Sequence, residues 1–150
     1  MKTLKITLLF LLLTINSFSQ NRAKDTLEIK KTLTDFFEVF TNPDMKYFDR
    51  NCVPTFELYE VGEVWNIDNI KGYVKKVQSS PKNWERTNKF KFIKFNFRKN
   101  LAWASYHNTA YITNLTDNSK REIKWLESIV LEKIKNKWLL VQMHSTRIKE

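Results

Sequence analysis

The sequence predicts an α+β domain in which about three N-terminal helices pack on an antiparallel sheet. Two observations carry this. Apolar residues repeat at helical spacing between Ile29 and Val77, then alternate at strand spacing from Trp84 onward. The last two alternating runs, Arg121 to Lys133 and Lys137 to Arg147, read as one long hairpin about a turn at Lys135-Asn136. A chain of 150 residues suits a single domain with a real core.

Residues 1–19 read as a cleaved secretory signal. Lys2 and Lys5 precede an apolar run from Ile6 to Ile15, and Ser17-Phe18-Ser19 sets small residues at a cleavage site before Gln20. The run is too short for a stable membrane anchor, and no Cys ends it for lipid attachment. The expected product is exported, periplasmic or secreted, with residues 20–150 forming one domain. Loss of Lys2 and Lys5 lowers the formal net charge from +10 to +8. That charge is spread among acids such as Glu57, Glu60 and Glu63, so it marks a solvated surface with some leaning toward anions. No basic run interleaves with an aromatic ladder, which argues against nucleic acid as a partner. Cys52 has no partner for an internal disulfide, and two His without other Cys make no zinc site, so neither metal nor cofactor is expected.

Asp25 with Glu28 resembles a capping box opening the first helix. Ile29, Leu33, Phe36, Phe37 and Phe40 form its apolar stripe, and Asn42-Pro43 closes it. Asp44 to Arg50 reads as a short helix carrying Met45, Tyr47 and Phe48. Thr55 to Tyr59 alternates as a strand, with Gly62 at a turn. Ile67, Ile70, Tyr73, Val74 and Val77 mark a third helix ending at Ser79-Ser80-Pro81. Beyond Trp84, Phe90 and Phe92 share one parity while Ile93, Phe95 and Phe97 share the other. That phase switch places a β-bulge near Phe92-Ile93. A turn at Lys99-Asn100 pairs Phe97 with Ala102, Phe95 with Ala104 and Ile93 with Tyr106, large against small. Leu101 to Thr113 forms the next strand. Pairing Thr116 with Ser119 then sets Asn108 opposite Glu127.

In the final hairpin, Ile134 facing Lys137 carries Glu127 across from His144. The inner face then reads Phe95, Phe97, Ala104, Tyr106, Asn108, Trp125, Glu127, Ile129, Trp138, Leu140, Gln142 and His144. The outer face carries Trp103, Tyr111, Leu126, Val130, Leu139, Val141 and Met143. A sheet apolar on both faces needs cover on both. Helices cover one, and a second copy of the chain, forming a homodimer, is expected on the other.

This order of elements is similar to the nuclear transport factor 2-like superfamily, especially its SnoaL-like bacterial branch and the association domain of calcium/calmodulin-dependent kinase II. The matching residues are Glu127, Val130, the charged hairpin Lys133 to Lys137, Trp138, His144 and Thr146, with Ala102-Trp103 one strand earlier. The likeness spans Thr26 to Ile148. It implies a cone-shaped fold, a strongly bent antiparallel sheet around a pocket, with Glu127 and His144 lining that pocket. Two features of relatives are missing. The Arg that the kinase domain carries two residues after its Glu is Ile129 here, and the base Asp and Tyr pairing of the steroid isomerases is absent, though Tyr59, Tyr73 and Tyr106 are within range of a pocket.

Three functions follow. In the first, an apolar cavity walled by Trp65 and the Phe stripe binds a small molecule through Tyr106, Asn108, Trp125, Glu127, Gln142 and His144. In the second, a small cofactor-free enzyme of isomerase, dehydratase or hydrolase type uses His144, oriented by Glu127, as general base. In the third, Glu127 and His144 satisfy one another in a dimeric interaction module without a ligand.

Overall fold

The structure, a computed structural model, describes residues 2–149, with side chains from Asn21 onward. Nine elements follow one another: α1 (Lys2–Thr41), α2 (Met45–Asp49), β1 (Cys52–Glu60), β2 (Glu63–Trp65), α3 (Ile67–Gln78), β3 (Trp84–Arg98), β4 (Leu101–Asn114), β5 (Lys120–Ile134) and β6 (Lys137–Arg147). The expected leader falls on residues whose side chains lie outside the described ones. Among the described residues, no helix is long and apolar enough to cross a membrane.

Each helix forms where local chemistry favours it. Asp44 caps α2 by accepting from the Lys46 amide. Asn66 and Asn69 cap α3 reciprocally, the Asn66 side chain accepting from the Asn69 amide and the Asn69 side chain from the Asn66 amide. The expected start at Asp25 is corrected: the backbone is helical through it, and no Gly or Pro interrupts the approach. Its carboxylate instead accepts from Lys133 Nζ at 2.6 Å and Trp138 Nε1 at 3.0 Å, tying α1 to the final hairpin.

The six strands form one sheet in the order β2-β1-β6-β5-β4-β3. All neighbours are antiparallel except β1 and β6, which run parallel, so the sheet is mixed. Ile29, Leu33, Phe36, Phe37 and Val39 of α1, Ile70 and Val74 of α3 and the inner sheet face share one core. Aromatic contacts join the layers: Phe37 meets Phe90 at 4.9 Å between ring centres, and Phe36 meets Phe56 at 5.5 Å. This α+β arrangement agrees with the expected class.

Bulges bend the sheet. In β3 the register shifts between Phe92 and Lys94, leaving Ile93 unpaired and exposed, as the phase switch predicts; Phe92 rather than Ile93 faces Tyr106. The final hairpin turns at Lys135-Asn136, both with positive φ, as a two-residue hairpin turn of this type requires. Its first pairs, from Ile134↔Lys137 to Leu131↔Leu140, also match expectation. A second bulge follows at Val141, after which Val130 faces Gln142 and Ile129 faces Met143.

That single extra residue reverses every assignment beyond it. Ser128, not Glu127, faces His144, and Glu127 faces Ser145. Met143 and Ser145 are buried on the inner side, while His144 is exposed. The expected pairing of Glu127 with His144 is therefore overturned. So is the placement of Met143 on the outer face. Leu140 and Met143 are apolar at opposite parities, but Leu139 and Val141 are apolar as well, so alternation does not mark this bulge as it marks the one in β3.

The β4–β5 turn brings a smaller correction. Thr113 pairs with Lys120 and the Asn114 amide donates to the Ser119 carbonyl, so the connection is longer than a two-residue turn. Glu127 consequently faces Tyr106, and Asn108 faces Trp125. A two-residue shift keeps every side chain on its face.

Candidate functional site

The inner face of the bent sheet, α1 and α3 enclose a cavity of about 170 Å³. Its walls include Phe37 and Phe40 from the helical stripe, Leu58, Trp65, Tyr73, Trp125 and Met143. Its polar members are Glu60, Arg86, Asn108, Glu127 and Ser145. Strand period two sets them there: residues of odd number on β5 and even number on β4 point inward, so Trp125 and Glu127 meet Tyr106 and Asn108.

Glu127 is the centre of this group. It is 4 % exposed, and Ser145 Oγ donates to its Oε1 at 2.9 Å. Burial raises the Glu127 carboxyl to about 7, aided by the nearby charge of Glu60, although Ser145, Tyr106 and Asn108 all favour its ionised form. The last two lie close enough to act on its charge but do not meet it at good hydrogen-bond geometry. The Tyr106 hydroxyl, Asn108 Nδ2 and Glu127 Oε2 are each buried without a partner. Asn108 is held in this orientation from behind, because Asn88 Nδ2 donates to its Oδ1 at 2.8 Å and Arg86 Nε donates to Asn88 Oδ1 at 3.0 Å. Asn108 Nδ2 and Glu127 Oε2 thus meet at one wall of the cavity, with the Tyr106 hydroxyl in the core beside Glu127. Burial pushes the Tyr106 phenol well above its ordinary range, so it stays a donor.

At the rim, Trp125 Nε1 donates to Glu60 Oε1 at 3.2 Å. Burial raises Glu60, against the pull of Trp125 and Arg86. The Arg86 guanidinium lies over the rings of Phe40 and Trp125, 5.5 and 5.8 Å from their centres. A carboxyl titrating near neutrality in an aromatic cup can take or give a proton and can hydrogen-bond a ligand in either state.

Of the six expected ligand-binding residues, Asn108, Trp125 and Glu127 line this cavity, and Tyr106 is buried opposite Glu127 without lining it. Gln142 and His144 lie away from it. They line a separate shallow depression on the opposite sheet face with Tyr59, Ser128 and Val130. General-base chemistry by a His144 oriented by Glu127 is excluded by that separation. Glu60, Arg86 and Ser145 were not anticipated. Ser145 reaches the inner face only once the Val141 bulge is in place, Glu60 arrives from a strand whose neighbours the sequence leaves open, and Arg86 lies on β3 beyond the bulge at Phe92-Ile93. Among the described residues, no three His, Cys, Asp or Glu side chains are grouped to hold a metal ion.

No family model and no curated protein matches this sequence. Solved structures do match the fold. The CamKII hub homology domain of Chlamydamonas reinhardtii superposes with a TM-score of 0.72 at 18% identity, covering 83% of this chain and 99% of that one. A hexachlorocyclohexane dehydrochlorinase (LinA) type 2 gives 0.71 at 10% identity, covering 87% and 90%. A nuclear transport factor 2-like superfamily protein from Salmonella enterica gives 0.69 at 14% identity, covering 86% and 94%. The chain has the nuclear transport factor 2-like fold. That fold is shared by enzymes and by proteins of unknown function, so the site must carry any functional argument.

Proposed function

We propose that this protein binds a small, mainly apolar molecule bearing one hydroxyl or amide group in the Glu127 cavity. One observation carries the reading: Asn108 and Glu127 line the cavity, and among the described residues Asn108 Nδ2 and Glu127 Oε2 are buried there without a well-formed hydrogen bond. Buried polar atoms without partners are costly, and a ligand group that both donates and accepts would satisfy both. The volume suits a single ring, since a cavity of roughly 150 Å³ holds benzene. Phenol should therefore bind and raise the thermal midpoint, whereas toluene, of the same shape without the hydroxyl, should bind about tenfold more weakly. Equal affinities by calorimetry would end this reading.

The proposal includes export, with cleavage before Gln20, supported by the basic start and apolar run of residues 1–19. N-terminal sequencing of the extracytoplasmic protein should begin at Gln20; a sequence starting at Met1 contradicts it.

It also includes a homodimer through the outer sheet face. Trp103, Tyr111 and Leu126 are 45%, 43% and 46% exposed on that side, with Val130 half-buried beside them. Likeness to hub domains supports an oligomer. The unaltered protein should scatter light as a dimer, and Trp103→Glu with Leu126→Lys should yield monomer. A monomeric parent protein would refute it.

A further inference from the structure

Outside the Glu127 cavity lies a second, larger chamber of about 550 Å³, between the end of α3 and the ends of β3, β4 and β5. Arg86, Arg121, Asn83, Asn114 and Ser119 supply its polar groups, and none of its lining residues is acidic. The strands fix the arginines. Arg86 pairs with Ile112, and Ile112 pairs with Arg121, so the two cations stand in one row on the inner face with a single strand between them. Adjacent strands are about 4.8 Å apart, which leaves the two forks about 10 Å apart at their backbones and long enough to converge.

Two like charges in one chamber disfavour each other unless something negative joins them. Among the described residues no carboxylate lies within 4.0 Å of either guanidinium, although Glu60 and Glu127 act on Arg86 from further away. Arg86 Nε is used by Asn88, which fixes the plane of its fork, and among the described residues its Nη groups have no acceptor. The Asn114 side-chain oxygen accepts from the Thr116 amide, leaving its Nδ2 as a donor. The chamber is thus rich in donors, two of them cationic, and has no anionic acceptor among its lining residues.

Arg86 and Tyr73 line both this chamber and the Glu127 cavity, so the two spaces meet at those side chains. We infer that the outer chamber is an oxyanion subsite, in which Arg86 and Arg121 hold a carboxylate or phosphate group of a ligand whose apolar, hydroxyl-bearing end enters the Glu127 cavity. The inference rests on the cavity reading above and narrows the ligand to a small amphiphilic anion. Planar guanidinium forks match both oxyanions, so the structure names the shared chemistry and experiment separates the two.

The test uses the mature protein and three probes of one shape: 4-hydroxyphenylacetate, 4-hydroxybenzylphosphonate and the neutral 4-hydroxyphenylacetamide, with inorganic phosphate as a fourth. At least one anion should bind about tenfold or more tightly than the amide, and the preference should shrink as salt is raised. The tighter of the two anions identifies the head group. Arg121→Gln should remove the preference while leaving amide binding within about twofold, and Arg86→Gln should remove the preference as well; Arg121, exposed at the mouth, guards against loss of fold. Equal binding of acid and amide, or a preference untouched by both substitutions, overturns the subsite and leaves the cavity reading intact. Phosphate binding that depends on both arginines, with no binding of the amide, keeps the subsite and overturns the cavity reading instead.

Discussion

Glu127→Gln should remove a distinct piece of the pH dependence of folding. Burial raises the carboxyl from an ordinary 4.5 to about 7, so the folded state binds a proton that the unfolded chain has released. Stability from this group is therefore full below about pH 4.5 and is lost as pH rises through 7. The loss amounts to about 3 kcal/mol, from a shift of some two and a half units at about 1.4 kcal/mol each. Glutamine cannot ionise, yet its amide keeps an oxygen for Ser145 Oγ. The two proteins should match near pH 4.5, and the variant should be the more stable by as much as about 3 kcal/mol at pH 8. The difference profile reports Glu127 together with its electrostatic coupling to Glu60 and Arg86. Urea melts across that range supply the measurement, and parallel profiles would show that Glu127 is not a buried, perturbed carboxyl.

Trp138→Ala should cost about 3–5 kcal/mol, a large share of the roughly 5–15 kcal/mol that stabilises a domain. Trp138 is 1% exposed, packs edge-on to Phe97 with ring centres 6.1 Å apart, and donates its indole N–H to Asp25. Trp138→Phe keeps most of the burial and loses the donor, for about 1 kcal/mol. The phenylalanine variant should also show a smaller loss of stability in acid. Burial alone would raise Asp25, but hydrogen bonds from Lys133 and Trp138, with the Lys133 charge, outweigh it and hold the carboxyl below its ordinary value. Its contribution is present above that ordinary value and disappears as pH falls. A melt of Trp138→Ala within 1 kcal/mol of the parent would refute this account.

These two residues show how unevenly the site was legible. Trp138 precedes the Val141 bulge, and its inner position follows from strand alternation counted from the Lys135-Asn136 turn. Glu127 was legible as an inner, buried carboxyl, but its partner was not. Counting straight through from the turn delivers His144; the folded sheet delivers Ser145. The Phe92-Ile93 bulge was readable because large aromatics flank it on both parities. The Val141 bulge was masked, since Val141 and Met143 fit an outer apolar face as readily as an inner one.

What the sequence determined by itself was everything that local periodicity encodes. That covers the three helical stripes, the long strands, the α+β class, the Lys135-Asn136 turn, and the inward parity of Tyr106, Asn108, Trp125 and Glu127. The tertiary structure alone decided which residues oppose one another across strands, that β1 lies parallel beside β6, and that Glu60, Arg86 and Ser145 converge on Glu127. The physical reason is the strand repeat of two. One unpaired residue moves all that follows to the other face, and whether such a residue is tolerated depends on how far the sheet must bend around its core, which no local segment records.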